Sequence, residues 1–511
     1  MATLRHDLLA QGFELRETHI SLVFLGAHDV YKVKKPVALG FLDFATLPRR
    51  KRFCEAEVEL NRRLAPSVYL GIQPITLDDR GTHRIGGQGE PIEWAVHMRR
   101  LPDGNAAELR LREGRLGLAE IGRLAERLAA FHAHARCDAE TARFGTVEAI
   151  EANVRENFEQ TRQSAERHLS RAELTAVERW QLGFLREHGA AIAARVAQGR
   201  VRDGHGDLRL EHCYLDGSDC EVIDCIEFND RFRYGDVCCD LAFLAMDLSW
   251  HERPDLSEAL LAAYARASGD YDLYGVVDFY ESYRAYVRGK VSSIVEEDST
   301  IAPEARARAA EQARKYYLLA EACTREPLER PALYLVGGVI ASGKSTIADE
   351  LGRMLSAPVL DADRLRKRLA GVAPEVPLSD APFSGHYTEQ STALVYAELL
   401  RRAELVLRSG RPAVLDASFR DRRQRAAARE LAERLGAPFL FVDCAPPLEV
   451  CRQRLSERAR GPSVSDGRAE VFEAFVASFE PVNELPAEAV VRLDTSRPLG
   501  ESLTRLSARL S

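Results

Sequence analysis

The sequence predicts an α+β half followed by an α/β half, and two observations support this. Up to about Met98 strand-like segments predominate, and long helical patterns follow, such as Ile121, Leu124, Ala125, Leu128 and Phe131. From Leu333 onward, short apolar segments alternate with amphipathic helical ones, which is typical of a parallel sheet covered by helices. We therefore expect a small β-rich lobe on a larger helical lobe, and then a parallel-sheet domain.

The domain limits follow from a change in pattern. A helical segment rich in Ala, Arg and Glu ends at Pro327 and Pro331, directly before an apolar segment. The predicted domains are residues 1–326, with a small lobe over about 1–100 and a large lobe over about 101–326, and residues 331–511. The strands predicted in the second domain are residues 333–336, 358–360, 413–415 and 439–442.

The bulk composition narrows the function classes. The 511 residues carry a net charge of -8, with 46% hydrophobic and 29% charged residues, which is ordinary for a soluble protein of several cores. No stretch has the length of a membrane helix, and residues 1–20 lack the apolar core of a signal peptide. We expect a cytoplasmic protein with no membrane and no general nucleic-acid partner, whose arginine groups at 49–52 and 420–429 are solvated helix faces.

A glycine-rich loop follows the first strand of the second half. Residues 338–345 contain a glycine, four spacers and Gly-Lys-Ser, which is the phosphate-loop pattern. In such a loop the backbone amides and the helix dipole favour phosphate, the Lys reaches the β- and γ-phosphate oxygens, and the Ser binds Mg²⁺. The residues predicted to bind ATP here are Gly338, Ala341, Ser342, Gly343, Lys344, Ser345 and Thr346.

An acidic residue ends another strand of this half. Asp416 is expected to hold the water shell of Mg²⁺ opposite Ser345. The next residue is Ala417, not the Glu that motor ATPases use to polarise water. This favours phosphoryl transfer to a substrate over hydrolysis.

A second acidic segment follows the predicted strand at 358–360. We predict that Asp363 positions and deprotonates a hydroxyl acceptor, and that Arg366 offers bidentate donors if the acceptor is itself phosphorylated. The alternative is a helix N-cap followed by a solvated basic face.

Two arginines lie one helical turn apart before the stretch Arg460-Gly461-Pro462-Ser463. We predict that Arg454 and Arg458 belong to a lid that neutralises charge on the transferred phosphoryl group and excludes water. Surface ion pairing is the alternative. With the phosphate loop, Asp363 and Asp416 in this order, the second half resembles the small P-loop kinases that phosphorylate metabolites or polynucleotide ends, and also zeta-type toxins. The resemblance implies a P-loop NTPase fold and kinase activity.

The first half carries its own acidic pattern. His205-Gly206-Asp207 precedes two strand-like segments, 213–215 and 220–223, joined by a good hairpin turn, and the second segment is followed by Asp224. A catalytic carboxylate, a hairpin and a metal-binding carboxylate form the layout of protein-kinase-like phosphotransferases.

These residues make the first half resemble the aminoglycoside phosphotransferase and choline kinase branch of the bilobal protein-kinase-like fold. The resemblance implies that Asp207 is the base, that Asp224 binds the metal, and that an acidic residue of the segment 235–240 braces the catalytic loop. Lys32 and Lys34 share one face of a predicted strand. One of them is expected to pair with Glu57 and the ATP phosphates; we prefer Lys34, with Lys32 and a Glu59 partner as alternatives.

Two features depart from that branch. Gly26 is the single glycine where protein kinases have a glycine-rich loop, and His212 occupies the position of a metal-binding Asn. Because Mg²⁺ prefers oxygen ligands, this half either carries one metal or has lost catalysis. His212 is then either a metal ligand or a structural residue that caps the hairpin.

As a whole, the chain resembles bacterial bifunctional proteins with these two modules. The resemblance implies a kinase that uses ATP and Mg²⁺ to phosphorylate a hydroxyl group of a small molecule or sugar phosphate, with two ATP-binding modules. The alternative function is a ligand-sensing, degenerate first half fused to a regulatory NTPase or a toxin-like kinase.

Overall fold

The computed structural model of the chain describes residues 1–40, 42–217, 219–325, 330–378, 380, 384–458 and 467–510. The chain divides into two compact units, Met1–Ser257 with Phe279–Thr324 and Glu258–Asp278 with Arg325–Ser511. This division differs from the predicted domain ranges in one respect, since residues 258–278 belong to the second unit. Residues 326–329, where the predicted boundary falls, lie outside the described residues.

The first unit begins with an antiparallel six-stranded sheet of order β1-β2-β3-β8-β6-β7. Its helix α2 packs on the sheet through Cys54 and Val58, which meet Val96 and Met98. The elements are α1 (Ala2–Ala10), β1 (Glu14–Glu17), β2 (Ser21–Leu25), β3 (Asp29–Lys34), β4 (Ala38–Leu39), β5 (Leu42–Asp43), α2 (Leu47–Asn61), β6 (Tyr69–Leu77), β7 (His83–Ile85) and β8 (Glu93–Arg99).

Helices predominate in the rest of the first unit, as predicted. Those that lie wholly in it are α3 (Ala107–Arg112), α4 (Leu118–His134), α5 (Ala139–Ala142), α6 (Val147–Ala165), α7 (Arg171–Glu187), α8 (Gly189–Ala197), α9 (Asp230–Arg233), α10 (Val237–Trp250) and α13 (Pro303–Ala322), whereas α11 (Pro254–Ser268) lies mostly, and α12 (Val277–Glu297) begins, in the segment 258–278 of the second unit. Four short strands interrupt them: β9 (Val201–Asp203), β10 (Cys213–Asp216), β11 (Asp219–Val222) and β12 (Tyr234–Asp236). Strands β10 and β11 pair antiparallel and confirm the predicted hairpin.

The second unit contains a five-stranded sheet, wholly parallel, of order β14-β15-β13-β16-β17. The parallel sheet confirms the predicted fold class, and the four predicted strands are present with ends shifted by one or two residues. The elements are β13 (Leu333–Gly337), α14 (Lys344–Leu355), β14 (Val359–Asp361), α15 (Ala362–Leu369), α16 (Glu389–Arg408), β15 (Ala413–Asp416), α17 (Arg422–Leu435), β16 (Phe439–Cys444), α18 (Leu448–Arg458), α19 (Ala469–Ala477), β17 (Val490–Leu493) and α20 (Leu499–Leu510).

The strand register brings the acidic strand ends together. Asp416 at the end of β15 is opposite Asp361 on one side and Val336 on the other. Because Val336 lies two residues before the glycine-rich loop, both carboxylates are at the end of the sheet from which that loop departs.

Two arginines are buried, contrary to the prediction that the arginine groups at 49–52 and 420–429 are solvated helix faces. Arg50 and Arg425 are buried, 7% and 0% exposed. Each has a carboxylate partner, since Arg50 Nε lies 3.0 and 2.9 Å from the two carboxylate oxygens of Glu93 and Arg425 pairs with Glu484. Burial of a guanidinium requires such a partner, and its presence cannot be inferred from a run of arginines.

In the described part of the chain, no helix is long and apolar enough to cross a membrane.

Candidate active sites

The glycine-rich loop has the backbone that the phosphate-loop pattern requires. Gly338 has φ +145°, and a Cβ there would lie 2.5 Å from the carbonyl oxygen of Cys444. Gly343, with φ +83°, is in the left-handed region directly before α14, which begins at Lys344. Glycine is therefore needed at both positions. The buried Ser342 Oγ has no hydrogen-bond partner among the described residues, which leaves a polar atom available to a ligand.

Asp416 has the surroundings of a cation ligand. Burial and the neighbouring Asp361 raise the pKa of Asp416 to about 7, although Lys344 and the hydroxyl of Ser345 act in the opposite direction. Its Oδ1 is buried without a hydrogen-bond partner in the described chain. Within the described residues, no three His, Cys, Asp or Glu side chains form a metal cluster. Oxygen ligands from one carboxylate and one hydroxyl fit Mg²⁺, which keeps several waters and binds the phosphates of its substrate.

One cleft joins the phosphate loop to the predicted acceptor residues. Lys344, Ser345, Asp363, Arg366 and Asp416 all line it. Its volume is about 1000 Å³ with the open solvent at its mouth included.

The predicted N-cap is present, but at Asp361. Its Oδ1 accepts the backbone N–H groups of Asp363 at 2.8 Å and Arg364 at 2.9 Å. Asp363 therefore does not cap α15, and its carboxylate has no hydrogen-bonded partner among the described residues. This leaves Asp363 available to a ligand in the cleft.

Arg454 does not line the cleft of Lys344 and Asp363. It donates hydrogen bonds to the hydroxyl of Thr495 at 3.2 Å and to the carbonyl of Thr495 at 2.5 Å, and it lines a second cavity with Gly343 and Thr346. The reason is the packing of the neighbouring Leu455 against Ala341, which turns this helix face towards the back of the phosphate loop. Its predicted role in neutralising charge on the transferred phosphoryl group stays a prediction. The side chain of Arg458 and the stretch 460–463 lie outside the described residues.

Three residues of these cavities were missed by sequence reasoning. Arg420 and Arg468 line the cleft with Arg366, and Thr495 donates to the carbonyl oxygen of Ser342 at 2.5 Å. Arg420 begins an arginine run that resembled a helix face, and Arg468 follows the stretch predicted as a lid. For Thr495 the sequence has no signal beyond its place after an apolar strand.

In the first unit, the segment around Asp207 is held by a buried carboxylate. Asp240 accepts the backbone N–H of His205 at 2.6 Å and of Gly206 at 2.9 Å. His205 Nε2 donates to the carbonyl of Ile223 at 3.0 Å, and burial lowers the pKa of His205 to about 4. The neutral imidazole thus ties the loop to the hairpin. Asp240 is therefore the bracing residue of the segment 235–240.

Asp207 and Asp224 lie on two sides of His212. The Nδ1 of His212 is 2.7 Å from the carbonyl oxygen of Asp207, and its Nε2 is 3.6 Å from a carboxylate oxygen of Asp224. Asp224 has φ +66°, a left-handed conformation that costs a non-glycine residue energy and is typical of functional sites. The Nδ1 bond gives His212 a structural role, and Nε2 faces the predicted metal carboxylate.

The negative charge of the Asp207 carboxylate is balanced by a neighbouring arginine. It accepts from Arg209 Nη2 at 2.9 Å. Although burial favours its neutral form, Arg209 and His212 hold the pKa of Asp207 well below its usual range. A carboxylate in this state is a weak base.

Both candidate lysines contact Glu57. Lys34 Nζ is 2.7 Å and Lys32 Nζ is 2.8 Å from its two oxygens, whereas no contact links either lysine to Glu59 in the described structure. Lys34 is wholly buried between Glu57 and Glu227, while Lys32 is partly exposed and lies 2.5 Å from Asp224. The burial of Lys34 does not fit our preference for it as the phosphate ligand. Lys32 is the lysine beside the predicted metal site.

Comparisons with known proteins cover both units. The model of the phosphotransferase enzyme family matches residues 26–280, and that of an AAA domain matches residues 333–482. The uncharacterized protein Rv2004c of Mycobacterium tuberculosis is 34% identical over 499 residues, which are 98% of this chain and 95% of that protein. The chain belongs to the same family as this mycobacterial protein. This chain thus combines a phosphotransferase domain with a P-loop domain, and both domains are of kinase type.

Solved structures resemble each half of this family member. A gluconokinase from Sinorhizobium meliloti is 23% identical, with a TM-score of 0.27, over 36% of this chain and 93% of its own. A choline/ethanolamine kinase family protein from Mesorhizobium loti is 13% identical, with a TM-score of 0.36, over 61% of this chain and 92% of its own.

Proposed function

We propose that the second unit is a kinase that transfers the γ-phosphoryl group of ATP to a hydroxyl group of a small molecule. The observation that carries this proposal is that Lys344, Ser345 and Asp363 line one cleft. Phosphoryl transfer requires the phosphate-binding groups and a base for the acceptor to be within reach of one another. The coarser conclusion, a kinase-type protein, already follows from the two family matches.

Each residue has a chemical role in this proposal. Asp363 accepts the hydroxyl proton as the acceptor oxygen bonds to the γ-phosphorus, and the bond from that phosphorus to the bridging oxygen breaks to release ADP. Lys344 stabilises the negative charge on the β- and γ-phosphate oxygens. Mg²⁺, when bound, neutralises phosphate charge, and Ser345 and Asp416 would hold it.

Ala417 supports transfer over hydrolysis. It lines the cleft directly after Asp416, where a motor ATPase has a Glu that polarises water. Ala417 provides no such base. We therefore expect little ATP hydrolysis in the absence of an acceptor.

The test uses labelled ATP and a metabolite extract. Lys344→Ala and Asp363→Asn are each expected to abolish one set of labelled products, with Asp363→Asn still binding ATP. Arg434→Ala, a change of a surface residue paired with Glu404, serves as the control. Fast hydrolysis without an acceptor, or unchanged products with Lys344→Ala, would contradict the proposal and favour the regulatory NTPase.

For the first unit, two functions follow from different observations. A second kinase site would use Asp207 as the base and Asp224 as the metal ligand, supported by the bracing of the loop by Asp240. A ligand-sensing domain without catalysis is favoured by the pairing of Asp207 with Arg209 and of Asp224 with Lys32. Products that are lost with Asp207→Asn in a Lys344→Ala background would identify the kinase. ATP binding with no such product would identify the sensor.

A further inference from the structure

We propose that the acceptor of the second unit carries an anionic group, a phosphate or a carboxylate, that Arg366, Arg420 and Arg468 bind. This inference rests on the proposed kinase function of that unit and names the class of its substrate. All three arginines line the cleft that also holds Lys344 and Asp363. Because they come from three separate parts of the chain, their proximity results from the fold and not from a single basic helix.

Arg366 is a buried cation with an unsatisfied donor. The residue is 8% exposed, its guanidinium lies 4.7 Å from the ring centroid of Tyr387, and Nη1 donates to the carbonyl of His386 at 2.5 Å. Its Nε is buried and has no hydrogen-bond partner within the described ranges. Because a buried charged donor is costly when unpaired, it indicates that a ligand supplies the missing oxygen. Carboxylate and phosphate match the planar fork of a guanidinium.

The other two arginines are also oriented by contacts within the unit. Arg420 donates to the hydroxyl of Ser478 at 3.1 Å, and its guanidinium lies 5.4 Å from the centroid of Phe475, which also lines the cleft. Arg468 donates to the backbone carbonyl of Asp380. Such contacts fix the orientation of a guanidinium before a ligand arrives, which lowers the entropy cost of binding.

The acidic residues of the cleft offset this charge only in part. Asp361 and Asp416 are at the strand ends beside the phosphate loop, where a bound cation would neutralise them. The carboxylate of Asp380 accepts from the backbone N–H of His386 at 2.9 Å and lies 2.7 Å from its Nδ1. Asp363, the proposed base, therefore faces an arginine-rich acceptor side.

A binding experiment tests the inference independently of catalysis. The full chain is saturated with Mg²⁺ and the non-hydrolysable ATP analogue AMPPNP, so that the phosphate loop is filled, and inorganic phosphate is titrated at constant ionic strength by calorimetry. Phosphate is expected to bind, and Arg366→Gln, Arg420→Gln and Arg468→Gln are each expected to weaken it by about tenfold or more. Arg429→Gln, a change of a surface residue paired with Glu433, is the control. Absent binding, or equal binding by all variants, would overturn the inference.

A transfer experiment separates this inference from the proposed function. A metabolite extract is divided on an anion-exchange column, and each fraction is incubated with labelled ATP. Products that depend on Lys344 are expected from the retained fraction alone. Their loss after prior phosphatase treatment identifies a phosphate, and their persistence identifies a carboxylate. Products from the unretained fraction alone would overturn the anionic acceptor but would leave the proposed kinase activity intact. If neither fraction gave a product that depends on Lys344, the result would count against the kinase activity. The phosphate titration would then still decide whether the arginines bind an anion.

Discussion

Gly269 lies against the guanidinium of Arg368, so closely that a Cβ on Gly269 would overlap Nη1 of that arginine. Both residues belong to the second unit, although Gly269 is within the residues that match the phosphotransferase family. Arg368 is in α15, the helix that carries Asp363 and Arg366. In the same segment, the Tyr271 hydroxyl donates to the carbonyl of Val359 at 2.7 Å. The segment 258–278 is therefore an integral part of the P-loop unit.

This contact predicts the effect of Gly269→Ala. The residue has φ +66°, which is strained for alanine, whereas the guanidinium end of Arg368 can move aside, so the variant is expected to lose about 1–2 kcal/mol of stability, most of it from the backbone. Arg368→Ala removes the overlapping group, so the double variant should recover only the smaller part of the loss that comes from displacing the arginine. Urea unfolding of the unchanged protein, the two single variants and the double variant measures the coupling between the two residues. Additive losses would show that the two residues do not interact.

The two lysines of the first unit are expected to respond differently to substitution. Lys34→Met would leave Glu57 with one lysine and Glu227 with none in a buried site, at a cost of about 3–5 kcal/mol. Lys32→Met leaves Glu57 paired with Lys34, so stability should change less while ATP binding by the first unit weakens. Thermal unfolding and ATP titration in a Lys344→Ala background distinguish the two effects. If Lys34→Met were stable and Lys32→Met still bound ATP normally, Lys34 would be the phosphate ligand.

The lysine pair shows what the sequence could and could not predict. Alternation along β3 places Lys32 and Lys34 on one face, and the local pattern was sufficient for that conclusion. Which lysine is buried depends on Glu227, 193 residues from Lys34 in the chain, and no local pattern contains that contact. The phosphate loop could be predicted because its geometry is set within eight consecutive residues. The position of Arg454 could not, since it depends on how α18 packs against the loop.

Asp416 predicts a pH-dependent stability. Its folded-state pKa of about 7 is above the ordinary value of 3.8, so the folded protein holds a proton that the unfolded chain releases. Ionisation of Asp416 therefore destabilises the folded state. This loss of stability begins near pH 4 and grows until about pH 7. Above that pH it is constant, on the order of 4 kcal/mol. In EDTA and without nucleotide, Asp416→Asn should therefore stabilise the protein more at pH 8 than at pH 5. Calorimetric scans at both pH values measure this, and an equal effect at both would contradict the raised pKa.

Arg425 connects the buried ion pair of the second unit to the turn that carries Arg420. Its Nη1 donates to the carbonyl of Phe419 at 2.7 Å, and Phe419 has φ +46°, so the arginine stabilises a strained turn directly before Arg420. Its Nη2 donates to the carbonyl of Pro481 at 3.2 Å, and the guanidinium pairs with Glu484.

We expect Arg425→Met to cost about 3–5 kcal/mol of stability, because Glu484 and several carbonyl groups lose their donor. Arg423→Met, in the same helix but with a side chain 75% exposed, should leave the unfolding midpoint unchanged. The double variant Arg425→Met/Glu484→Leu should recover part of the loss, since it removes the uncompensated carboxylate. Urea unfolding tests all three. If the double variant is no more stable than Arg425→Met, the loss of stability comes from the strained turn at Phe419 and not from the ion pair. Phosphate binding through Arg420 should then weaken in both variants.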